Sequence, residues 1–253
     1  MWANGELIFE SEHRRKDGSV IPVEIFARVL AVEGRELILS IARDITERQR
    51  AAEELKASLA RVTEVQDSTI QALVTVTEAR DPYTAGHQRR VTQLACAVAR
   101  ELGLSADRVA GLRVMGLLHD LGKISIPAEI LSKPGKLSAT EFGFIKSHAQ
   151  AGYEIIKEIQ FPWPVAEVIL QHHERMDGSG YPQGLTGPDI TLEARILAVA
   201  DVVEAMSSHR PYRAALGLDQ ALEEIAQKKG VLYDPEVADA CIKVCTGDNF
   251  TFD

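Results

Sequence analysis

Cysteine is scarce. The three cysteines of this 253-residue chain, Cys96, Cys241 and Cys245, are an odd set without metal-ligand or redox-pair spacing. That excludes a disulfide framework and a thiolate metal centre, and it fits a reducing compartment. Cys241 and Cys245 stand four residues apart, so a helix would place them on one face as packing residues. Basic residues are also in deficit, 28 against 37 acidic for a net charge of -9, which removes general attraction to duplex nucleic acid or anionic lipid as a driving force. A phosphate ligand would need positive charge assembled locally. No apolar run reaches bilayer length, and the start, "MWANGELIFESEHRRKDG", lacks a positive segment followed by an apolar one. Neither a membrane span nor a secretion signal is expected, and the sequence reads as a cytoplasmic protein. Internal repeats and low-complexity segments are absent too.

What is present begins with β structure over residues 1–45. Ile21, Val23, Ile25, Ala27 and Val29 alternate between two turn signals, Asp17-Gly18 and Glu33-Gly34, and "ELILSIA" alternates Leu37, Leu39 and Ile41. Three antiparallel strands of this size cannot bury both faces, so the piece must lean on something else or belong to a larger sheet. "RRKDGSVIPVEIFARVL" through "LILSIARDITERQRAAEEL" resembles the C-terminal half of a PAS sensor domain and its exit helix. The resemblance implies a sensory position.

From Thr46 the pattern becomes helical through residue 80. Ile45, Arg48, Ala52, Leu55, Leu59, Val62, Gln66, Thr69, Leu73 and Val76 follow a 3-4 alternation, the seam of a coiled coil. Two arrangements fit: a parallel stalk that makes the chain a homodimer through residues 46–80 and transmits rotation or register shifts, or an amphipathic helix lying on its own domain. Asp81-Pro82 stops the helix.

The remainder, 81–253, reads as a helical bundle, so the fold class is mainly α with a small N-terminal antiparallel β segment and a long connecting helix. Val91, Leu94, Ala95, Val98 and Leu102 share one helix face before Gly103, and Ser105 caps the next helix. Ser138 with Glu141 forms a capping box, Pro164 begins a helix running to His173, and Thr191 caps "LEARILAVADVVEAM". Helices over roughly 218–229 and 235–245 complete the set.

Five of the seven histidines fall here, at 87, 119, 148, 172 and 173, with Asp120 and Asp201. From His87 to His119, His148, His172 and Asp201 the steps are 32, 29, 24 and 29 residues, about one helix plus its connection, so successive helices can converge their polar groups on one interior point. Left unpaired there, each would cost roughly 1–3 kcal/mol. A metal resolves that conflict. Imidazole and carboxylate without thiolate suit iron, manganese, nickel, cobalt or zinc, and seven donors exceed the needs of one ion that must leave room for substrate. Two divalent transition-metal ions are therefore expected, with Asp120 bridging. Such a pair generates a hydroxide nucleophile and screens charge at phosphorus.

The segments "DPYTAGHQRRV", "LLHDLGKISIP", "SHAQAGYEII", "HHERMDGSGYP", "ILAVADVVEAM" and "RPYR" stand in this order. Together they resemble an HD-GYP domain, the cyclic dinucleotide phosphodiesterase branch of the HD metallohydrolases. The resemblance implies His87, His119, Asp120 and Asp201 around one ion and Asp120, His148, His172 and His173 around the other, with iron or manganese as the metals. Some relatives carry a glutamate four residues before the first histidine and hold a third metal. Tyr83 stands there in this chain, which favours two ions, with Glu78 or a water as the substitute that a third would need. Lys123 is implied as a phosphate contact or leaving-group helper, the other reading being a solvated surface lysine.

The loop "DGSGYP" is implied to line a cyclic dinucleotide pocket. Gly178 and Gly180 permit positive φ and close approach of a ligand, Tyr181 offers a flat face to a base, and Pro182 stiffens the loop. Arg210 and Arg213 would hold phosphate or guanine through guanidinium forks. For Arg213, surface pairing with the acidic excess fits as well. The expected reaction is hydrolysis of cyclic di-GMP to pGpG, and onward to GMP, with Asp120 and Lys123 in catalytic roles. The alternative is a catalytically weak cyclic dinucleotide sensor or interaction module.

Overall fold

The computed structural model describes residues 6–81, 86–133, 135–208, 216–247 and 250–252. Two compact units divide the chain, Met1–Asp67 and Ser68–Asp253.

In the first unit, strands β1 (Glu6–Arg14), β2 (Val20–Val32) and β3 (Arg35–Asp44) form one antiparallel sheet in sequence order. Val32 pairs with Arg35 across Glu33 and Gly34, whose φ angles of 50° and 75° make the two-residue turn that matches strand twist. The sheet keeps apolar side chains uncovered on both faces. Ile38, opposite Val29, and Ile41, opposite Phe26, point to opposite sides, and both are exposed. Helix α1 (Thr46–Arg80) starts beside this sheet, where Arg48 pairs with Glu10 and Glu24 at 2.7 and 3.0 Å.

Along α1 the apolar residues Leu55, Leu59 and Val62 are exposed. In its last third the buried face is Ile70, Val74 and Thr77, while Val76 is exposed. Past residue 68 the helix is part of the helical unit, as in the second of the two expected arrangements, and the seam residue Leu73 packs against the same core beside this buried face. Packing of one face against its own domain wins there over a continuous heptad.

The second unit continues with α2 (His87–Glu101), α3 (Ala106–Leu118), the short α4 (Ala128–Leu131), α5 (Ala139–Ile156), α6 (Val165–Gln171), α7 (Leu192–Ser207), α8 (Leu218–Lys228) and α9 (Pro235–Thr246). The caps read from sequence are made. Ser105 accepts from Arg108 N, Ser138 and Glu141 complete their box, Thr191 accepts from Ala194 N, and Asp234 caps α9. One boundary moves, because the helix begun at Pro164 ends at Gln171, leaving His172 as its cap and His173 beyond it. The core is aliphatic: Val91, Leu94, Val98, Leu112, Met115, Ile169, Ile196, Leu197 and Ile225 are fully or almost fully enclosed. Leu94 has no exposed surface, so Leu94→Ala should lower unfolding stability by about 2–5 kcal/mol. Leu59→Ala, at an exposed position, should change monomer stability by less than about 0.5 kcal/mol in the same urea titration.

Candidate metal centre

Five local structures deliver polar groups to one interior region. His87 opens α2, His119 caps α3, His148 lies within α5, His172 caps α6 and Asp201 lies within α7. Asp120 follows His119 at the start of a 3-10 turn, Leu121–Ser125. That turn lies against α5 because residue 122 has no side chain: a Cβ on Gly122 would sit 1.9 Å from the His148 carbonyl oxygen and 2.5 Å from Gly152 N. The glycine of "HDLGK" thus brings Asp120 beside His148.

Backbone carbonyls orient three of the rings. His119 Nδ1 donates to Gly116 O at 2.7 Å, His148 Nδ1 to Ile145 O at 2.7 Å and His172 Nδ1 to Ile169 O at 2.6 Å. A carbonyl can only accept, so the proton sits on Nδ1 and Nε2 faces inward. Burial pushes the His148 imidazole down and holds that of His172 well below its ordinary range, so both are neutral near pH 7. Their Nε2 atoms nevertheless face each other at 3.2 Å. Two lone pairs in that position repel unless a cation lies between or beside them. His119 Nε2 is buried with no hydrogen-bond partner among the described residues, an omission that costs roughly 1–3 kcal/mol if nothing fills it. Both observations fit a bound cation.

The carboxylates complete two groups. Asp120 Oδ1 lies 3.6 Å from His148 Nε2, while Oδ2 lies 3.6 Å from His119 Nε2 and 3.7 Å from His87 Nε2. His87 Nε2 is also 3.2 Å from Asp201 Oδ1, and His173 Nδ1 is 4.0 Å from Asp201 Oδ2. His148 with His172 and His173, His87 with His119 and Asp201, and His119 with Asp120 and His172 each bring donor atoms within 4.8 Å of one another, and each set could hold a metal ion. Burial opposes ionisation of Asp120, yet Lys123 and His119 keep it well below the usual carboxylate range. For Asp201 the hydrogen bond to His87 does the same against burial. Burial lowers His173 to about 3. It pulls His87 in the same direction, but hydrogen bonds to Asp201 and Glu204 outweigh it and raise His87 to about 9.

Other sequence expectations fare differently. Lys123 is buried, and its Nζ lies 2.7 Å from Asp120 Oδ2 and 3.8 Å from Asp81 Oδ2, which excludes the solvated surface lysine. Gly178 has φ +81°, as expected, but Gly180 is not in the positive-φ region. Gly180 is small because the loop folds onto its own chain: a Cβ there would lie 2.4 Å from Glu174 Cα. The close approach at that position is thus made by backbone. The Tyr181 ring stacks on His173 with centroids 4.7 Å apart, and Lys146 Nζ lies 5.1 Å from the Tyr181 centroid. Pro182 is exposed. Glu78 Oε1 accepts from Gly86 N at 2.8 Å, at the entrance to α2. Tyr83, Arg210 and Arg213 lie outside the described residues.

Sequence reasoning missed two buried carboxylates. Glu204 accepts a hydrogen bond from His87 Nδ1–H and is itself held by Arg90 Nε at 2.8 Å and Ser208 Oγ at 2.7 Å. Its signal was the position three residues after Asp201, one turn along the same helix face. Glu174 accepts from Gln183 N at 2.7 Å and Leu185 N at 3.0 Å, pinning the glycine loop beside the two adjacent histidines.

Because His87 stays protonated up to about pH 9 in the metal-free chain, a cation taking its Nε2 must displace that proton. Metal affinity should therefore rise with pH by up to roughly tenfold per unit from pH 7 toward 9, whereas the already neutral His148, His172 and His173 add no such dependence. In Glu204→Gln the dependence should flatten and affinity fall roughly 10–100-fold with helix content retained. Competition titration against a chelator at several pH values checks this, and a pH-independent affinity in the parent chain would contradict it.

A family model described as HD domain matches residues 71–237. The chain is 44% identical over 191 residues to the cyclic di-GMP phosphodiesterase response regulator RpfG of Xanthomonas campestris pv. campestris, covering 75% of this chain and 50% of that protein. It is 39% identical over 175 residues to the 3'3'-cGAMP-specific phosphodiesterase 3 of Vibrio cholerae, covering 67% of this chain and 38% of that one. The chain thus spans half or less of the length of these relatives. Among solved structures, the HD domain of L. monocytogenes phosphodiesterase PgpH is similar in fold, with a TM-score of 0.51 and 22% identity over 69% of this chain and 97% of the other. Family match, ordered motifs and helical architecture agree, and the chain belongs to the HD domain family, in its HD-GYP branch.

Proposed function

We propose that the chain is a metal-dependent phosphodiesterase that hydrolyses a cyclic dinucleotide, cyclic di-GMP first, to the linear pGpG and onward to GMP. The observation that carries this reading is the pair of facing, neutral imidazole nitrogens beside the orphaned His119 Nε2. The names of the relatives supply the substrate class: RpfG is named for cyclic di-GMP and the Vibrio enzyme for 3'3'-cGAMP. Cyclic di-GMP is preferred on the higher identity of the first.

The proposed ligands are His87, His119, Asp120 and Asp201 for one ion and Asp120, His148, His172 and His173 for a second. Two ions rather than three are proposed, because Glu78 is engaged with Gly86 N. Iron or manganese suits imidazole and carboxylate donors without thiolate. Bound divalent ions would polarise water and neutralise charge at the phosphodiester. The chain's own groups do the rest. Asp120 presents one oxygen to each histidine set, and Lys123, ion-paired to Asp120, keeps a fixed positive charge at the site for the phosphate as negative charge grows in the transition state. Glu204 fixes the His87 ring through Nδ1, and Tyr181 braces the His173 ring. The GYP loop, Arg210 and Arg213 are proposed to hold the dinucleotide.

Residues 1–45 are proposed as a PAS-like sensory piece, 46–80 as the linker and 81–253 as the catalytic domain. Homodimerisation through α1 is supported by its exposed Leu55, Leu59 and Val62. A cytoplasmic location agrees with three unpaired, buried cysteines and with the finding that no described helix is long and apolar enough to cross a membrane. In the test, metal-loaded chain is given labelled cyclic di-GMP and products are separated. His119→Ala with Asp120→Ala should reduce turnover roughly a thousandfold or more while circular dichroism keeps its helical signal. Turnover retained in the metal-depleted double variant would exclude the mechanism.

A further inference from the structure

An open cavity of about 500 Å3 in the helical unit shares no lining residue with the histidine cluster. It lies where the last third of α1 meets α2 and α3. Arg89, Arg100 and Arg113 line it, together with Gln71, Thr92 and Cys96, and no carboxylate is among its described lining residues. In a chain of net charge -9 that is a local inversion of sign. A wall built from three guanidinium groups attracts anions and can donate paired hydrogen bonds to phosphate oxygens.

A second observation comes from Gln71. Its Nε2 is enclosed with no hydrogen-bond partner among the described residues, so the amide gains a bond by turning toward an acceptor in the cavity that Gln71 lines. The thiol of Cys96 is turned away from such chemistry: the residue is buried and its Sγ lies 3.8 Å from Val109 O. The volume falls within the roughly 300–1,000 Å3 usual for small-molecule sites. We propose that this cavity binds a small organic phosphate of nucleoside monophosphate size, at a site separate from the metal centre.

The same wall adjoins two of the proposed metal ligands. Thr92 Oγ1 donates to Gln88 O at 2.6 Å, next in sequence to His87. Thr92 also lies against Gly116, where an added Cβ would be 2.6 Å from its Oγ1, and Gly116 O is the acceptor that orients His119. An occupant pressing on Thr92 therefore acts on the neighbour of His87 and on the residue whose carbonyl orients His119.

The binding test does not depend on the phosphodiesterase reading. Full chain carrying His119→Ala and Asp120→Ala, kept in chelator, is titrated calorimetrically with GMP, AMP and inorganic phosphate. Saturable binding of a nucleoside monophosphate at one site per chain is expected, weakened roughly tenfold or more by Arg100→Gln with Arg113→Gln, since charge-assisted hydrogen bonds carry about that factor. Should the histidine-aspartate variant lose helical signal, chelator-stripped parent chain serves for the same comparison. Absence of saturable binding, an affinity unchanged by the arginine pair, or inorganic phosphate binding as tightly as the nucleotides would each overturn the proposal.

Discussion

Two neutral imidazoles cannot rest with their bare nitrogens 3.2 Å apart in a dry interior unless something positive answers them. In this chain the backbone itself creates that situation. Carbonyls at Gly116, Ile145 and Ile169 each accept a hydrogen bond from the Nδ1–H of the histidine three residues later, which commits Nε2 of His119, His148 and His172 to the interior. The rings are set by helix geometry before any ligand arrives, so the site is preorganised rather than assembled on binding. The close Gly122 contact with α5, the Glu174 anchor of the glycine loop and the Glu204 brace on His87 are all means of holding that arrangement against the repulsion it contains.

Charge is distributed to the same end. The chain as a whole is acidic, which keeps polyanions at a distance. Positive charge is spent locally, at Lys123 against Asp120, at Arg90 against Glu204 and at the arginine-lined cavity beside α1. The outcome for protons follows: His148, His172 and His173 are neutral and ready to donate lone pairs, while His87, flanked by two carboxylates, holds its proton until a stronger Lewis acid removes it.

Much of this was legible in the sequence, for identifiable reasons. Helix caps such as Ser138 with Glu141 are local chemistry, and the structure makes them as read. The regular steps between the histidines are a one-dimensional trace of helices delivering side chains to one place, and the structure gathers all seven donors. What was hidden depends on contacts distant in sequence. Gly180 looked like a provision for ligand, yet it accommodates backbone at Glu174. Glu204 has its role only because α2 brings His87 against it, 117 residues away along the chain. Past residue 68 the pattern of α1 fitted both a seam and a face laid on its own domain, and only contacts within the helical unit single out Ile70, Val74 and Thr77 as buried, with Leu73 packed beside them.

The most direct measurement is anomalous diffraction at the metal absorption edges from crystals of chain purified without oxygen, with elemental analysis of the same sample. The account predicts two strong peaks enclosed by the seven donor side chains, with one oxygen of Asp120 facing each. A single peak, or metal held elsewhere while the His119, His148 and His172 nitrogens still face an empty space, would contradict it.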